Sequence, residues 1–428
     1  MKIRTLLLGL LLASPVLQAT EFQPLGFKST AMGGAGVANA SGSMAAYYNP
    51  ALLAHAKTTM EFSLGGGVQY RDNGLGAKSA KLEDDNLYDA IDHIASNSPI
   101  NGSNTQFDRN AVSSAVATII SMDGESLQIQ PEAYLGMHYT NFGFGIYNTT
   151  EASLTPKISK NHDQLIFENS GFYYKYDPLT DTYSQTTQTN YENNGLEYAL
   201  DNGLTNAHAI GIVIAEVPFS YAYNFDTAIG QVALGGSAKI MVGSSSYQTV
   251  RIDNEDDNND NAIDETTTST TLGIDLGLLY LPQNVKTMRI GLMLKNLNAP
   301  KFNTPDGFKD VTLDPMARLG VSYMLTDTLE IASDLDLTEN KMIDDETKSR
   351  IFGVGLGWQP NRWFNLSGGL MKNLSNSAEG FAYTLGLSGG APMLHLDLAA
   401  QMSNKTNSYQ NNTFPAYANI MVALTSSW

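Results

Sequence analysis

Residues that alternate between apolar and polar form strands with two unlike faces. This chain alternates over most of its length. Phe381, Tyr383, Leu385 and Leu387 interleave with Ala382, Thr384, Gly386 and Ser388. Leu394, Leu396, Leu398 and Ala400 interleave with His395, Asp397, Ala399 and Gln401. Leu272, Ile274, Leu276, Leu278 and Tyr280 alternate with Gly273, Asp275 and Gly277. The pattern predicts fourteen strands, near 59–70, 127–139, 142–155, 207–224, 229–250, 267–281, 286–296, 315–325, 328–338, 350–359, 362–372, 380–388, 392–402 and 415–428. An even number is what a closed bacterial barrel requires. The connections alternate in length as well. Those at 140–141, 225–228, 282–285, 326–327, 360–361 and 389–391 are short, and the other seven are longer. Short turns at one end and long loops at the other is the layout of an outer-membrane barrel, with its short turns in the periplasm. A soluble sandwich has no reason to sort its connections. The expected fold is all-β, a 14-stranded antiparallel transmembrane β-barrel over 58–428.

Charge agrees with that topology. Only 16% of the 428 residues are charged, yet the formal net charge is −18. The seven long connections hold 31 of the 43 acids and 13 of the 25 bases, so the acidity belongs mainly to the outer surface. A charge on the lipid face at mid-bilayer costs about 2–4 kcal/mol. Taking the apolar register as lipid-facing sends Glu61, Glu132, Glu216, Lys239, Asp275, Arg289, Lys295, Arg318, Glu330, Asp334, Asp336 and Asp397 inward. Arg350, Arg362 and Lys372 fall outward at strand ends, where they can snorkel. Tyr139, Phe142, Tyr223, Phe225, Tyr280, Tyr323, Trp358, Trp363 and Phe364 gather beside the short turns as an interfacial girdle. The last strand ends on Trp428, a pattern that points to recognition by the outer-membrane assembly machinery. An acidic chain lacks the basic face that a nucleic-acid partner needs. Zero Cys excludes disulfides, Cys-ligated zinc and thiol catalysis.

Lys2 and Arg4, the apolar run 6–12, and Ala19 at a small-residue cleavage position read as a signal peptide spanning 1–19. Residues 20–57 do not alternate. They hold the small-residue run Ser29-Thr30-Ala31-Met32-Gly33-Gly34-Ala35-Gly36-Val37-Ala38 and then Ala45-Ala46-Tyr47-Tyr48-Asn49-Pro50-Ala51-Leu52-Leu53. Small residues permit close backbone approach, and fourteen strands enclose a lumen too wide for side chains alone to fill. An N-terminal plug inside the barrel is expected. The small-residue run followed by Asn49-Pro50-Ala51 resembles the N-terminal hatch of the FadL-type outer-membrane proteins. Glu216-Val217-Pro218-Phe219-Ser220-Tyr221-Ala222 and Arg289-Ile290-Gly291-Leu292-Met293-Leu294-Lys295-Asn296-Leu297 are similar to the branch named after the TraF protein of plasmid transfer operons. The resemblance implies a fourteen-stranded barrel that moves hydrophobic molecules past a plug, with Asn49 and Pro50 in that plug. Pro218, inward in the fourth strand, marks either a wall kink or lateral opening, or a bulge without function.

In the first long loop Leu87, Ile91 and Ile94 sit at helical spacing, which predicts a short amphipathic helix whose apolar face either packs on neighbouring loops or lines a ligand groove. Residues 172–176 and 182–186 predict a hairpin in the second. Asp253, Glu255, Asp257 and Asp264 fall near alternate ligand positions of a calcium loop. Position six is Asn258 rather than glycine, and flanking helices are missing, so a solvated acidic loop is the competing reading. No cofactor is expected. The G-x-S-x-G letters at 386–390 precede a turn and a strand, whereas a nucleophile elbow needs a following helix. His138 and His395 read as lumen hydrogen-bonders, and the chain is not expected to be an enzyme. Two functions compete: passive transport of a hydrophobic small-molecule ligand, or a non-transporting interaction barrel serving a conjugal transfer or secretion apparatus. In both, the outer-membrane lipid is a partner.

Overall fold

A computed structural model of the chain describes residues 21–428 except 85, 252–265, 286, 307, 344–346, 392 and 410–411. Residues 1–19, where a signal peptide is expected, lie outside the described residues. So do Asp253, Glu255, Asp257 and Asp264.

Fourteen strands close into one antiparallel barrel. They are β1 (Met60–Asp72), β2 (Leu127–Tyr139), β3 (Phe142–Lys157), β4 (Asn206–Thr227), β5 (Gly230–Arg251), β6 (Thr266–Pro282) and β7 (Met288–Lys295). The series continues with β8 (Met316–Met324), β9 (Leu329–Asp336), β10 (Ile351–Asn361), β11 (Phe364–Asn373), β12 (Phe381–Ala391), β13 (Leu394–Ser403) and β14 (Tyr417–Ser427). β14 closes on β1, with Glu61 opposite Ser427 and Val68 opposite Ile420. Trp428 takes part in the closure, donating its N–H to Met60 O at 2.9 Å. Every edge is thereby paired, which the hydrocarbon core demands of any strand crossing it. Among the described residues, no helix is long and apolar enough to cross a membrane.

The alternation sorts the two faces as expected. Leu272, Leu385 and Ile420 are exposed on the outer face, while Lys239, Asp275 and Arg318 are fully buried on the inner one. β4 and β5 run 22 residues each, about twice what a spanning strand needs. The upper part of β5 pairs with the polar stretch Thr266-Thr267-Thr268-Ser269-Thr270-Thr271 of β6.

Register corrects one reading of Pro218. Phe144 lies opposite Phe219 and Tyr147 opposite Glu216, so no residue is inserted and no bulge forms. Pairing lapses only across Gly145 and Ile146, where Pro218 has no N–H to give. Pro131 of β2 leaves a similar lapse on the other edge of β3, between Ala152 and Thr149.

Inside the wall, residues 21–57 form two short helices, α1 (Phe27–Ala31) and α2 (Ala45–Tyr48), and a 3-10 turn over Pro50–His55. Outside, the first long loop holds three helices, α3 (Leu75–Asp84), α4 (Leu87–Ser96) and α5 (Gln106–Ser121). The sequence showed only α4, because α3 and α5 carry weak apolar stripes. The second loop holds the expected hairpin, Phe172–Asp177 with Thr182–Thr186, extended by Ile166–Asn169 and followed by α6 (Gln188–Asn194) and α7 (Leu196–Asp201). Leu87, Ile94, Val112, Ile119, Phe167 and Leu196 bury one another in a shared core. The two loops are therefore one packed outer domain.

Candidate functional site

The lumen is filled in three levels, and the inward glycines locate the first. A Cβ at Gly353 would collide with the carbonyl oxygen of Gly33, and one at Gly277 with Asn49 Oδ1. Only a bare backbone lets the N-terminal segment lie against the wall at these points. Wall side chains then bond that segment's backbone. Asp334 accepts from the N–H groups of Gly36 and Val37, both at 2.9 Å. Thr384 Oγ1 donates to Ala31 O at 2.8 Å and accepts from Gly33 N at 3.0 Å. Gln401 Nε2 donates to Thr30 O at 2.7 Å. These inward glycines were visible as the small members of the alternating pairs, but alternation alone does not say what lies against them.

Asn49 is fully buried and uses both ends of its amide. Nδ2 donates to Val37 O at 2.9 Å and to Leu278 O at 3.0 Å. Oδ1 accepts from Ala51 N at 3.0 Å, capping the 3-10 turn that Pro50 opens. One side chain thus ties the two halves of the segment to each other and to β6. Proline suits the first turn position because its missing N–H has no partner there to lose.

The second level is charged. Lys239 meets Glu216 at 3.0 Å and Asp275 at 3.0 Å, and Lys295 meets Glu216 at 3.5 Å. Arg318 donates to Asp336 at 2.6 and 3.1 Å and to Phe22 O at 2.9 Å. Arg71 faces Glu21 at 3.2 Å and Glu379 at 3.1 Å. Buried charge survives only where it is paired and hydrogen-bonded, and these groups are. Aromatics complete the level. Phe22 packs between Tyr47 and Tyr48, each ring centre 5.6 Å away. Lys295 Nζ sits 3.9 Å from the Tyr47 ring centre, and the Arg318 guanidinium 4.2 Å from that of Phe22.

The third level is apolar and lies toward the long loops. Ile210, Ile212, Ile214 and Met241 of the wall bury Phe302, Leu313 and Ile343, which fold back from the loops after β7 and β9. Glu379, in the loop before β12, belongs to the outer end; burial holds its carboxyl above the ordinary range although Arg71 draws it down.

At the short-turn end a cavity of about 320 Å³ remains, bounded by the N-terminal segment and the strand ends. His395 lines it, with Nδ1 3.1 Å from Ser388 Oγ and Nε2 2.8 Å from Arg362 O. Ser388 sits inside β12, followed by a turn and β13 as expected. His138 is buried nearer β1, its Nε2 3.0 Å from Thr58 O.

Known proteins share this architecture. The Pseudomonas putida toluene transporter TodX is 13% identical, with a TM-score of 0.50 over 95% of this chain and 99% of that one. The Ralstonia pickettii toluene transporter TbuX is 14% identical, with a TM-score of 0.49 over 94% and 98%. A Pseudomonas aeruginosa FadL homologue is 10% identical, with a TM-score of 0.44 over 96% and 99%. At such identities the likeness is one of fold alone. No curated protein matches the sequence. One family model does, from Ala46 through the end of β9 at Asp336, well over half of the chain. On that match, the chain belongs to the family described as F plasmid transfer operon TraF protein.

Proposed function

We propose that this protein is a gated outer-membrane barrel, closed as it stands, that passes small apolar molecules passively when residues 21–57 move. The observation that carries the reading is the nature of the obstruction. The first level of the lumen is blocked by a separate segment, joined to the wall covalently only where it enters β1 and otherwise held by noncovalent contacts such as those of Asn49, Asp334 and Thr384. Such a closure can be displaced without unfolding the wall. Residues 21–57 are then a plug, with Asn49, Pro50 and Ala51 as its seat. The toluene transporters of the same fold support an apolar cargo. The dry core of the outer domain, with a small gap among Leu82, Leu87, Ile91 and Ile119, is where such cargo first leaves water. Export by a signal peptide, cleavage after Ala19 and a folding signal at Trp428 complete this reading.

A second reading, an interaction barrel that transports nothing, draws on the charged middle level, whose buried ion pairs offer an apolar solute no favourable surface. One experiment separates the two. The chain has no Cys, so Ala46→Cys with Gly143→Cys creates a single pair. The Cβ positions lie 3.4 Å apart, close to the roughly 3.5–4.5 Å of a disulfide. Uptake of a small aromatic hydrocarbon into vesicles holding the reduced double variant, halted on oxidation, supports the gated transporter. Uptake equal to protein-free vesicles in both states supports the interaction barrel.

A further inference from the structure

Both cations and acids line the short-turn cavity. The cations are Lys28, Lys57 and Arg289. Lys28 is engaged, 2.7 Å from the Glu330 carboxylate and donating to Asn39 O at 2.7 Å. Arg289 is different. It is inward in β7, opposite Ser322 of β8, and half-buried. Among the described residues neither Arg289 nor Lys57 meets an ion-pair or hydrogen-bond partner. The other inward cations of the lumen, Arg71, Lys239, Lys295 and Arg318, each reach a carboxylate. Of the other acids lining the cavity, Asp327 is exposed in the turn before β9, and two are already served. Glu61 accepts from Ser43 N at 3.1 Å and Ser43 Oγ at 2.6 Å, and Asp397 accepts from Thr425 Oγ1 at 2.6 Å.

A guanidinium has five donors and no acceptor, and its planar fork matches a carboxylate or phosphate. Here Arg289 lines a water-accessible cavity beside two ammonium groups, and the nearest acid engaged with these cations is Glu330, bound to Lys28. We propose that Arg289 and Lys57, beside a Lys28 whose charge Glu330 now occupies, form a subsite for a small oxyanion, a carboxylate or a phosphate, that enters from the periplasm. The subsite lies on the periplasmic side of the N-terminal segment and needs no movement of it. It therefore stands or falls separately from transport.

The test is isothermal titration of the full-length protein in nonionic detergent, with inorganic phosphate in one arm and propionate in the other. Saturable binding of at least one is expected, and which one binds identifies the source of the oxyanion. Arg289→Gln with Lys57→Gln should weaken it roughly tenfold or more, the loss of charge-assisted hydrogen bonds. Glu330→Gln removes the competing carboxylate and should tighten it, which a purely structural role for these residues would not produce. Heat-modifiable gel mobility confirms that each variant is a folded barrel. Saturation by neither anion overturns the proposal, as does binding that the double variant leaves unchanged. If the double variant does not fold, failure of Glu330→Gln to tighten binding overturns it alone.

Discussion

Arg71 of the first wall strand and Glu21 of the N-terminal segment form a fully buried ion pair, 3.2 Å between Nη2 and Oε2. The same guanidinium meets Glu379 from the loop before β12, at 3.1 Å. Wall, inner segment and outer loop therefore converge on one side chain. Arg71→Gln leaves two buried carboxylates without their cation, a change that costs about 3–5 kcal/mol. The expected outcome is protease sensitivity of residues 21–57 while the barrel keeps its heat-modifiable mobility. Unchanged protection would show that the pair does not hold the segment.

Asn49 is a donor to two carbonyls at once, Val37 O and Leu278 O. Asn49→Asp keeps the shape but turns the donor into a charged acceptor. Each orphaned buried acceptor costs about 1–3 kcal/mol, and the new charge repels both oxygens. The thermal midpoint for release of the inner segment, followed by limited proteolysis, should fall clearly. A midpoint equal to that of the parent would remove Asn49 from the seat.

Gly353 and Gly368 offer a matched pair on neighbouring strands. A Cβ at Gly353 meets the backbone of Gly33, whereas one at Gly368 meets only Thr384 O at 3.4 Å on the outer face. Gly353→Ala should displace the inner segment, raising vesicle permeability to small solutes, while Gly368→Ala should behave as the parent. Equal permeability of the two variants contradicts close backbone packing at Gly353.

Glu197, on α7 of the outer domain, has its carboxyl pushed up to about 7 by burial, despite the hydrogen bond it accepts from Glu168 N at 2.9 Å. An acid with a raised pKa binds more protons in the folded state than in the unfolded one. Its contribution is therefore fully present below about pH 4.5 and declines as pH rises toward 7. Glu197→Gln should remove that decline. Hydrogen exchange of 188–201 should slow in the variant at pH 8 and match the parent at pH 4.5. An effect equal at both pH values would point to packing rather than charge.

The wall was legible because its physics is local. A lipid-facing residue must be apolar and its neighbour need not be, so Leu385 and Gly386 declare their faces without reference to anything distant. The strand bounds, the girdle and the inward charges follow from that rule. The predicted helix at α4 showed through the same logic, since Leu87 and Ile94 form a stripe. α5 did not, because Val112, Ala115 and Ile119 give a shallow stripe whose burial depends on Phe167 and Leu196 from another loop. The unsuitability of Pro218 as a bulge was not legible either, for register is a property of two strands.

What the sequence by itself determined is the barrel, the sorting of its short and long connections and the presence of a non-strand segment before it. Each depends on periodicity and composition that a single pass along the chain contains. What only the tertiary structure decided is the content of the lumen. Glu21 and Arg71 are 50 residues apart, and Asp334 reaches Gly36 across 298. Inward polar residues look alike in sequence, since facing away from lipid is the only demand their own strand makes of them. Pairing Lys239 with Glu216 and Asp275 while leaving Arg289 without an ion pair among the described residues depends on where the closed wall and the segment inside it bring their charges together.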